Sequence, residues 1–364
     1  MTKPLVSALI DTYNQAQFIE QALVSVLEQG LSPSELEIVV VDDGSTDNTA
    51  AAVERFGRDI RYIRKTNGGQ VSAYNAGVPE THAPIVAFLD ADDWWAKGKL
   101  QAVLDAFERN PDVTAVGHGY FEAHEAESTI EAVLPVGNQV FNLTDAGAAR
   151  MAHSAWSFLG TTMLSVRRNV IDIAGHLPEN LIFFDRPVQL FAMTLGSAFV
   201  LDQALCYYRL HGQNLFQSRM PDTKNLRRRY QFLSAQLNFL PGALARAGVT
   251  PDAQSALFES DRAECKRLRL ILEGGWPWET FRLERERFQL AYQQHTAAYG
   301  AFKWLVLAST LFMPPSIFYR MRNWYARHNL RRFRRVVGDP IPVASIHVRR
   351  QKSVNGSAIS DRSV

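Results

Sequence analysis

The chain has 364 residues, 46% hydrophobic and 21% charged, with a formal net charge of +2. That balance excludes a disordered polyelectrolyte, and the length allows a sizeable core with a soft expectation of two domains. Two cysteines in no metal or redox spacing exclude a multi-disulfide framework, and Cys206 and Cys265 are expected as free thiols of a reducing compartment. The early apolar run, Leu5–Ile10, is short and ends at Asp11, unlike a signal peptide. The small net charge conceals an asymmetry. Residues 1–299 hold 27 Lys and Arg against 35 Asp and Glu, whereas residues 300–352 hold 11 against one. A basic tail on an acidic body points to an anionic partner surface.

Leu5–Ile10 reads as a strand, and residues 14–28 read as a helix with Ile19, Leu23, Val26 and Leu27 on one face and Gly30 as its stop. Leu36–Val41 is a second strand, and Thr46–Phe56 a short helix introduced by Ser45, Thr46 and Asp47 as candidate caps. Arg61–Ile63 is a brief third strand, Gln70–Ala76 a helix and Ile85–Leu89 a further strand. This alternation predicts a parallel α/β sheet. Next come a helix over Leu100–Phe107, strands at Val113–Val116 and Thr162–Val166, a helix over Asp185–Leu195, and strands at Phe199–Leu201 and Leu205–Tyr208. Residues 221–298 are charged and helical in character, with Pro241, Pro251 and Pro277 as expected breaks, and residues 339–364 are polar, aperiodic and expected to be poorly ordered.

Three of the predicted strands finish in carboxylates. They run into Asp11-Thr12-Tyr13-Asn14, Asp42-Asp43-Gly44-Ser45 and Asp90-Ala91-Asp92-Asp93. A buried strand does not carry unpaired charge, so these acids belong where the strands leave the core, the edge at which open α/β sheets bind ligands. Crowded carboxylates repel one another unless a cation neutralises them. Hard oxygen ligands favour Mg²⁺ or Mn²⁺ bridged to a diphosphate substrate.

The pieces VSALIDTYN (6–14), DDGSTD (42–47), NGGQVSAYNAG (67–77), FLDADD (88–93), Phe184-Asp185 and YRLHGQN (208–214) stand in the order and spacing of a known family. Over residues 5–215 the chain resembles the family 2 glycosyltransferases, inverting enzymes of the GT-A fold. The resemblance implies a GT-A-type nucleotide-sugar-binding sheet with helices on both faces, and transfer of a sugar from a nucleotide-sugar donor, a UDP-sugar foremost, to an acceptor hydroxyl with Mg²⁺ or Mn²⁺. Three departures stand out. Asp11 occupies a position where the family often has proline, Tyr74 one where arginine is common, and Phe184 the first place of what is usually a pair of acids.

Within that resemblance Asp92 is the expected metal ligand, with Asp90 towards the donor ribose or the metal shell; a divalent cation there offsets charge on the leaving diphosphate. Asp93 is a candidate cap for the helix that follows. Asp42 is expected beside the nucleotide base, with Thr12, Tyr13 and Asn14 lining the same pocket. Asn67, in a permissive Asn-Gly-Gly loop, and Asn75 are further donor-contact candidates. Asp185 is the candidate general base; a helix dipole there would lower its pKa and weaken it unless burial beside Phe183 and Phe184 compensates, and the alternative reading is a helix N-terminal Asp. Arg209 is a candidate diphosphate clamp, and His211 a phosphate or metal contact. Trp94 and Trp95 read equally as an acceptor platform or as packing.

Residues 304–319 form an uncharged stretch of 16 interrupted by Pro314-Pro315, short of the roughly 20 residues that span a bilayer. Residues 320–335 follow with seven arginines, no acid and interleaved aromatics. Together, 302–335 read as an interfacial segment for an anionic membrane surface, ahead of a helical hairpin packed on protein; nothing calls for nucleic acid. The expected division is a catalytic domain over 1–220, a helical extension over 221–299, a membrane-associating segment over 300–338 and a tail over 339–364. The expected protein is a cytoplasmic enzyme at the inner face of the cell membrane, building a surface polysaccharide or glycolipid on a carbohydrate or lipid-linked acceptor, with oligomeric state open. The rival readings are a non-catalytic scaffold of GT-A type and a metal-dependent nucleotidyltransferase.

Overall fold

The computed structural model describes residues 3–124, 129–211, 223–292, 304–321 and 347–351. It divides into two compact units, one comprising 1–217, 247–249 and 344–364, the other 218–246 and 250–343.

The first unit is built on one mixed sheet. Its centre is β1 (Val6–Thr12), flanked in parallel by β2 (Leu36–Asp42) and β4 (Ile85–Asp90), with β3 (Ile60–Arg64) beyond β2. The parallel sheet expected from the alternation is thus β3, β2, β1 and β4; past β4 the sheet turns antiparallel through β9 (Ser165–Arg167) to β6 (Val113–His124) and β7 (Thr129–Leu134). A long strand, β10 (Ser197–Leu210), runs parallel to β6 and also pairs with the two-residue β5 (Trp94–Trp95) and with β8 (Gln139–Phe141). The two strands predicted at 199–201 and 205–208 are this one strand. Register shifts at Leu201/Ala204 and Ala204/Tyr207 absorb the polar interruption that had suggested a break.

Helices cover both faces, as expected. Val6, Ala8 and Ile10 share a core with Ile19, Ala22, Leu23 and Val26 of α1 (Ile19–Leu27) and with Leu100, Val103 and Phe107 of α4 (Lys99–Arg109). The alternate residue Leu9 faces the other way, towards α3 (Gln70–Gly77). A Cβ on Gly77 would lie 2.5 Å from Leu9 Cδ1 and 2.7 Å from Val41 Cγ2, so glycine permits this helix its close approach to the sheet. Two helices begin later than their patterns suggest. α1 starts at Ile19 because Asn14 adopts a left-handed φ of 55° and residues 15–18 form a turn. α2 (Thr49–Glu54) starts after Asp47, whose Oδ1 accepts from Thr49 N at 3.0 Å. The short helices α5 (Ala146–Ser154) and α6 (Arg168–Ala174) escape the sequence reading, and α7 (Asp185–Leu195) matches it.

The second unit is helical: α8 (Thr223–Arg246), α9 (Pro251–Leu272), α10 (Pro277–Tyr292) and further helical turns within 304–321. Pro251 and Pro277 open helices, and Thr250 caps the first of them by accepting from Ala253 N at 3.3 Å. Pro241 lies inside α8 and does not end it, contrary to expectation. Leu270, Leu283, Phe318 and Tyr319 form a small core here. Within the tail expected to be poorly ordered, residues His347–Gln351 form β11, an antiparallel addition to β7. Such an edge addition uses backbone groups and leaves no periodic trace in the sequence.

Candidate active site

The strand register assembles the acids. Asp11 pairs with Asp90 across β1 and β4, and Thr12 pairs with Asp42 across β1 and β2, so the three acidic strand ends lie side by side at the carboxyl edge. Burial first, and then the charge of Asp92, pushes the Asp11 carboxyl up to about 7. Asp90 is raised well above the carboxylate range by burial and by Asp11, Asp92, Asp93 and Asp185 together. Asp185, the first residue of α7, therefore belongs to the same electrostatic group although it is 95 residues from Asp90 in sequence. Its own carboxyl is pushed up to about 6 by burial, against the backbone N–H groups of Arg186 and Thr161 that donate to it. Burial thus outweighs the helix terminus, as the flanking phenylalanines imply.

Asp92 meets His211, with Nε2 at 3.0 Å from Oδ2. Asp93 plays a different part from the helix cap expected of it. α4 begins behind Gly98 with no side-chain cap, whereas Asp93 Oδ1 accepts from Arg209 N at 2.8 Å and Oδ2 from Thr162 Oγ1 at 2.6 Å. The buried Lys99 extends this lock by donating from Nζ to the Thr162 carbonyl at 2.7 Å. Burial brings the Lys99 ammonium down to about 7. Asp93, Thr162 and Lys99 thus fasten the metal-loop candidates to β10 and to the turn over Thr161–Met163.

Several predicted donor contacts turn out to build the walls of the site. Asp42 is fully buried; Oδ1 accepts from Ser45 N at 2.7 Å and Oδ2 from the Tyr62 hydroxyl. It shapes the turn where a base contact was expected, because the short Asp-Gly-Ser turn closes on it. Asn14 Oδ1 accepts from Thr46 N at 2.7 Å and Ser45 Oγ accepts from Asn14 N at 2.8 Å, which clasps the loops after β1 and β2. Asn75 bonds the Leu177 backbone reciprocally, its Nδ2 donating to Leu177 O at 2.8 Å and its Oδ1 accepting from Leu177 N at 2.9 Å. Arg209 donates from Nε to the Asp92 carbonyl at 2.7 Å and from Nη2 to Gln21, with its guanidinium between Phe18 at 4.4 Å and Trp94 at 4.5 Å. It braces the loop where a diphosphate clamp was expected, although its charge remains beside Asp92. The aromatic series continues through Trp94 on Tyr207 at 4.7 Å and Tyr207 on Phe121 at 4.7 Å. Trp94 is therefore packed in a stack, and Trp95 is buried against Lys99 Nζ at 4.0 Å.

The remaining candidates are accessible or unsatisfied. Tyr13 is 46% exposed and offers an aromatic face. The Thr12 hydroxyl is buried without a partner among the described residues. Asn67 is exposed on a loop that Asp43 pins by accepting from Gly68 N at 3.0 Å, Gly69 N at 2.7 Å and Lys65 Nζ at 2.7 Å. Gly44, at φ 82°, lets that loop pass, since a Cβ there would lie 2.8 Å from Asn67 N.

Among the described residues no three His, Cys, Asp or Glu side chains form a complete cage for a metal. Protein sites commonly hold Mg²⁺ or Mn²⁺ by one or two carboxylates while substrate phosphates complete the shell. Asp92 and Asp90 are the residues that would form such a partial set; burial and the surrounding carboxylates raise the Asp90 carboxyl well above the carboxylate range. Two site residues escaped the sequence reading. Asp11 stands among the acidic strand ends and as a departure from the family pattern, but the sequence assigns it no role in the site. Gln70 lies inside the NGGQVSAYNAG piece (67–77) but carries no charge to mark it as a contact.

The sequence model of glycosyl transferase family 2 matches residues 7–170. An uncharacterized glycosyltransferase of Nostoc sp. is 34% identical over 215 residues, 57% of this chain and 66% of its own. The uncharacterized glycosyltransferase EpsJ of Bacillus subtilis is 30% identical over 224 residues, 58% of this chain and 63% of its own. The chain thus spans just under two thirds of the length of these two relatives. TuaG of Bacillus subtilis, named for teichuronic acid biosynthesis, is 36% identical over 108 residues, 28% of this chain and 42% of its own. Among solved structures, a mannosyltransferase of Pyrobaculum calidifontis in complex with GDP-Man and Mn²⁺ has a TM-score of 0.47 at 21% identity over 90% of this chain and 88% of that one.

Proposed function

We propose, on the premise that residues 7–170 are a glycosyl transferase family 2 domain, that this protein is a metal-dependent inverting glycosyltransferase of cell-surface polysaccharide synthesis. The observation that carries the reading is the convergence of Asp90, at the end of β4, with Asp185, at the start of α7, in one buried electrostatic group. One carboxylate set suits the diphosphate end of a nucleotide-sugar, and a separate, desolvated carboxylate suits an acceptor hydroxyl.

Asp92 and Asp90 are the residues that would hold Mg²⁺ or Mn²⁺, which supplies charge stabilisation for the leaving diphosphate. Tyr13 offers its exposed ring to the nucleotide base, and Thr12 the unpartnered hydroxyl beside it. Asp185 takes the acceptor proton as the hydroxyl attacks, a role that typically contributes ~10²–10⁴-fold. A pKa near 6 keeps it ionised at neutral pH and more basic than an ordinary aspartate. His211 holds the Asp92 carboxylate in place, and Asp93, Thr162, Lys99 and Arg209 hold the loop that carries it.

Cell-surface polysaccharide synthesis is supported by the relative named for teichuronic acid. A lipid-linked or carbohydrate acceptor at the inner face of the cell membrane suits the second unit. There, Leu305, Phe312, Ile317 and Met321 are exposed, and the sequence continues into the arginine-rich 320–335, of which residues 322–335 lie outside the described residues. Among the described residues no helix is long and apolar enough to cross a membrane, so the proposed attachment is interfacial. A thermal-shift screen of UDP- and GDP-sugars with Mn²⁺, followed by measurement of nucleoside diphosphate release, tests the reading. Stabilisation by a nucleotide-sugar and turnover support it; neither effect with any donor would overturn it.

A further inference from the structure

We infer that Gln70 reads the sugar carried by the donor, accepting a hydrogen bond through Oε1 from one of its hydroxyl groups. The inference rests on the nucleotide-sugar reading above and adds a specificity-determining residue to it.

Gln70 is the first residue of α3, immediately after the Asn67-Gly68-Gly69 loop that Asp43 pins. Its Nε2 donates to Asp90 Oδ1 at 2.8 Å and lies 3.4 Å from Thr161 Oγ1. Its side chain also hydrogen-bonds Asp11. Thr161 in turn donates its backbone N–H to Asp185. A chain of contacts therefore runs from Asp90, in the carboxylate group suited to the diphosphate, through Gln70 and Thr161 to the candidate base. The transferred sugar of a nucleotide-sugar has to lie along that line, because its anomeric carbon joins the diphosphate on one side and meets the acceptor on the other.

The orientation of the amide follows from its partners. The NH₂ end faces Asp90, with Nε2 donating to Oδ1 at 2.8 Å. Oε1 is then turned away from Asp90, where it is buried and no donor among the described residues reaches it. A buried acceptor left unsatisfied is costly, and a ligand O–H or N–H relieves that cost. The diphosphate offers only acceptors at neutral pH. A sugar offers several hydroxyl donors, and a site built to bond one of them rejects analogues that lack it more strongly than an apolar pocket can. A divalent cation could also take an amide oxygen, and the experiment separates that case.

The test uses the full chain and the variants Gln70→Ala and Gln70→Met. Calorimetry with Mn²⁺ measures affinity for UDP and GDP, and for UDP-glucose, UDP-N-acetylglucosamine and GDP-mannose; turnover gives kcat/KM for each donor. The expected result is a loss of roughly 10- to 100-fold in kcat/KM for the preferred donor, with a flattened preference among donors. Affinity for the bare diphosphate should stay within about twofold, since that fragment carries no sugar hydroxyl for Gln70 to read. Unchanged donor preference in both variants would overturn the inference. An equal loss for the bare diphosphate would also overturn it, and would assign Gln70 to the metal or to the support of Asp90. A wild-type chain that bound UDP or GDP but no nucleotide-sugar would refute the parent reading, and the Gln70 assignment with it.

Discussion

Tyr74 and Phe184 stack with ring centroids 4.7 Å apart and planes 23° off parallel. Both positions depart from the family pattern, and Phe88 closes the trio at 4.9 Å from Phe184. Because Phe184 immediately precedes Asp185, this apolar stack anchors the chain that presents the candidate base. The Tyr74 hydroxyl is buried with no partner among the described residues. Tyr74→Phe is therefore expected to keep stability and turnover at or above the wild-type level, while Tyr74→Ala should cost roughly 3–5 kcal/mol. Urea unfolding of the two variants checks this; a clear loss in Tyr74→Phe would mean that the hydroxyl has a partner after all.

Asp185→Asn retains the shape of the side chain and the acceptor for Arg186 N, which donates to Oδ1 at 2.6 Å. Donor binding with Mn²⁺ should survive, and turnover should drop by ~10²–10⁴-fold. Single-turnover assays beside calorimetric donor affinity distinguish this from a binding defect. Normal turnover would remove Asp185 from the chemistry.

The pH dependence has a definite sign. The Asp185 carboxyl rises from 3.8 to about 6 on folding, so the folded state holds its proton more tightly than the unfolded one. Its contribution to stability is complete below 3.8 and is lost as pH rises through about 6, by at most about 3 kcal/mol. Turnover moves the opposite way, rising through the same window as the base ionises. Asp185→Asn should consequently melt higher than wild type at pH 7.5, with the difference shrinking towards pH 4. A variant less stable than wild type at pH 7.5 would contradict the desolvation argument.

Asp92→Ala removes the proposed metal ligand and the carboxylate that meets His211. Mn²⁺-dependent affinity for nucleoside diphosphate should fall, and the residual affinity should be the same with and without chelator. Titration of UDP or GDP in both conditions measures it. A variant that kept the full metal effect would move the site elsewhere.

Attachment to an anionic bilayer predicts that Leu305→Ser with Phe312→Ser weakens binding to vesicles containing phosphatidylserine without disturbing the fold, since the two side chains are 72% and 86% exposed. Co-sedimentation at low and raised salt reads both the apolar and the arginine contributions, the latter roughly 1 kcal/mol per basic residue near the surface. Binding that is unaffected by either change would leave this surface to another partner.

The acidic strand ends were legible because hydrophobic runs stop abruptly at Asp11, Asp42 and Asp90, and a parallel sheet has to bring such ends to one edge. The inward locks were not. Asp93 is held by Thr162, 69 residues away, and Asn75 by Leu177, 102 residues away. A side chain in a turn reads the same in sequence whether it meets a ligand or a distant backbone. Asp42 and Asn14 looked like ligand contacts because turn chemistry and nucleotide contacts draw on the same residue types. β7 and β11 were hidden because pairing at a sheet edge is decided by backbone geometry. β10 was legible only in pieces, because its bulges interrupt the hydrophobic alternation.

The stack of Phe18, Arg209, Trp94, Tyr207 and Phe121 also has an optical consequence. Trp94 and Tyr207 lie only 5° from parallel, and the guanidinium on the other face of Trp94 is bonded to the Asp92 carbonyl. Rigid, overlapping chromophores in a chiral setting couple their transitions and give near-ultraviolet ellipticity. A charge arriving at Asp92 is expected to perturb Arg209 and with it the indole absorption, which would give the unlabelled chain its own gauge of occupancy. Comparing difference spectra of wild type and Trp94→Phe during titration would isolate that signal.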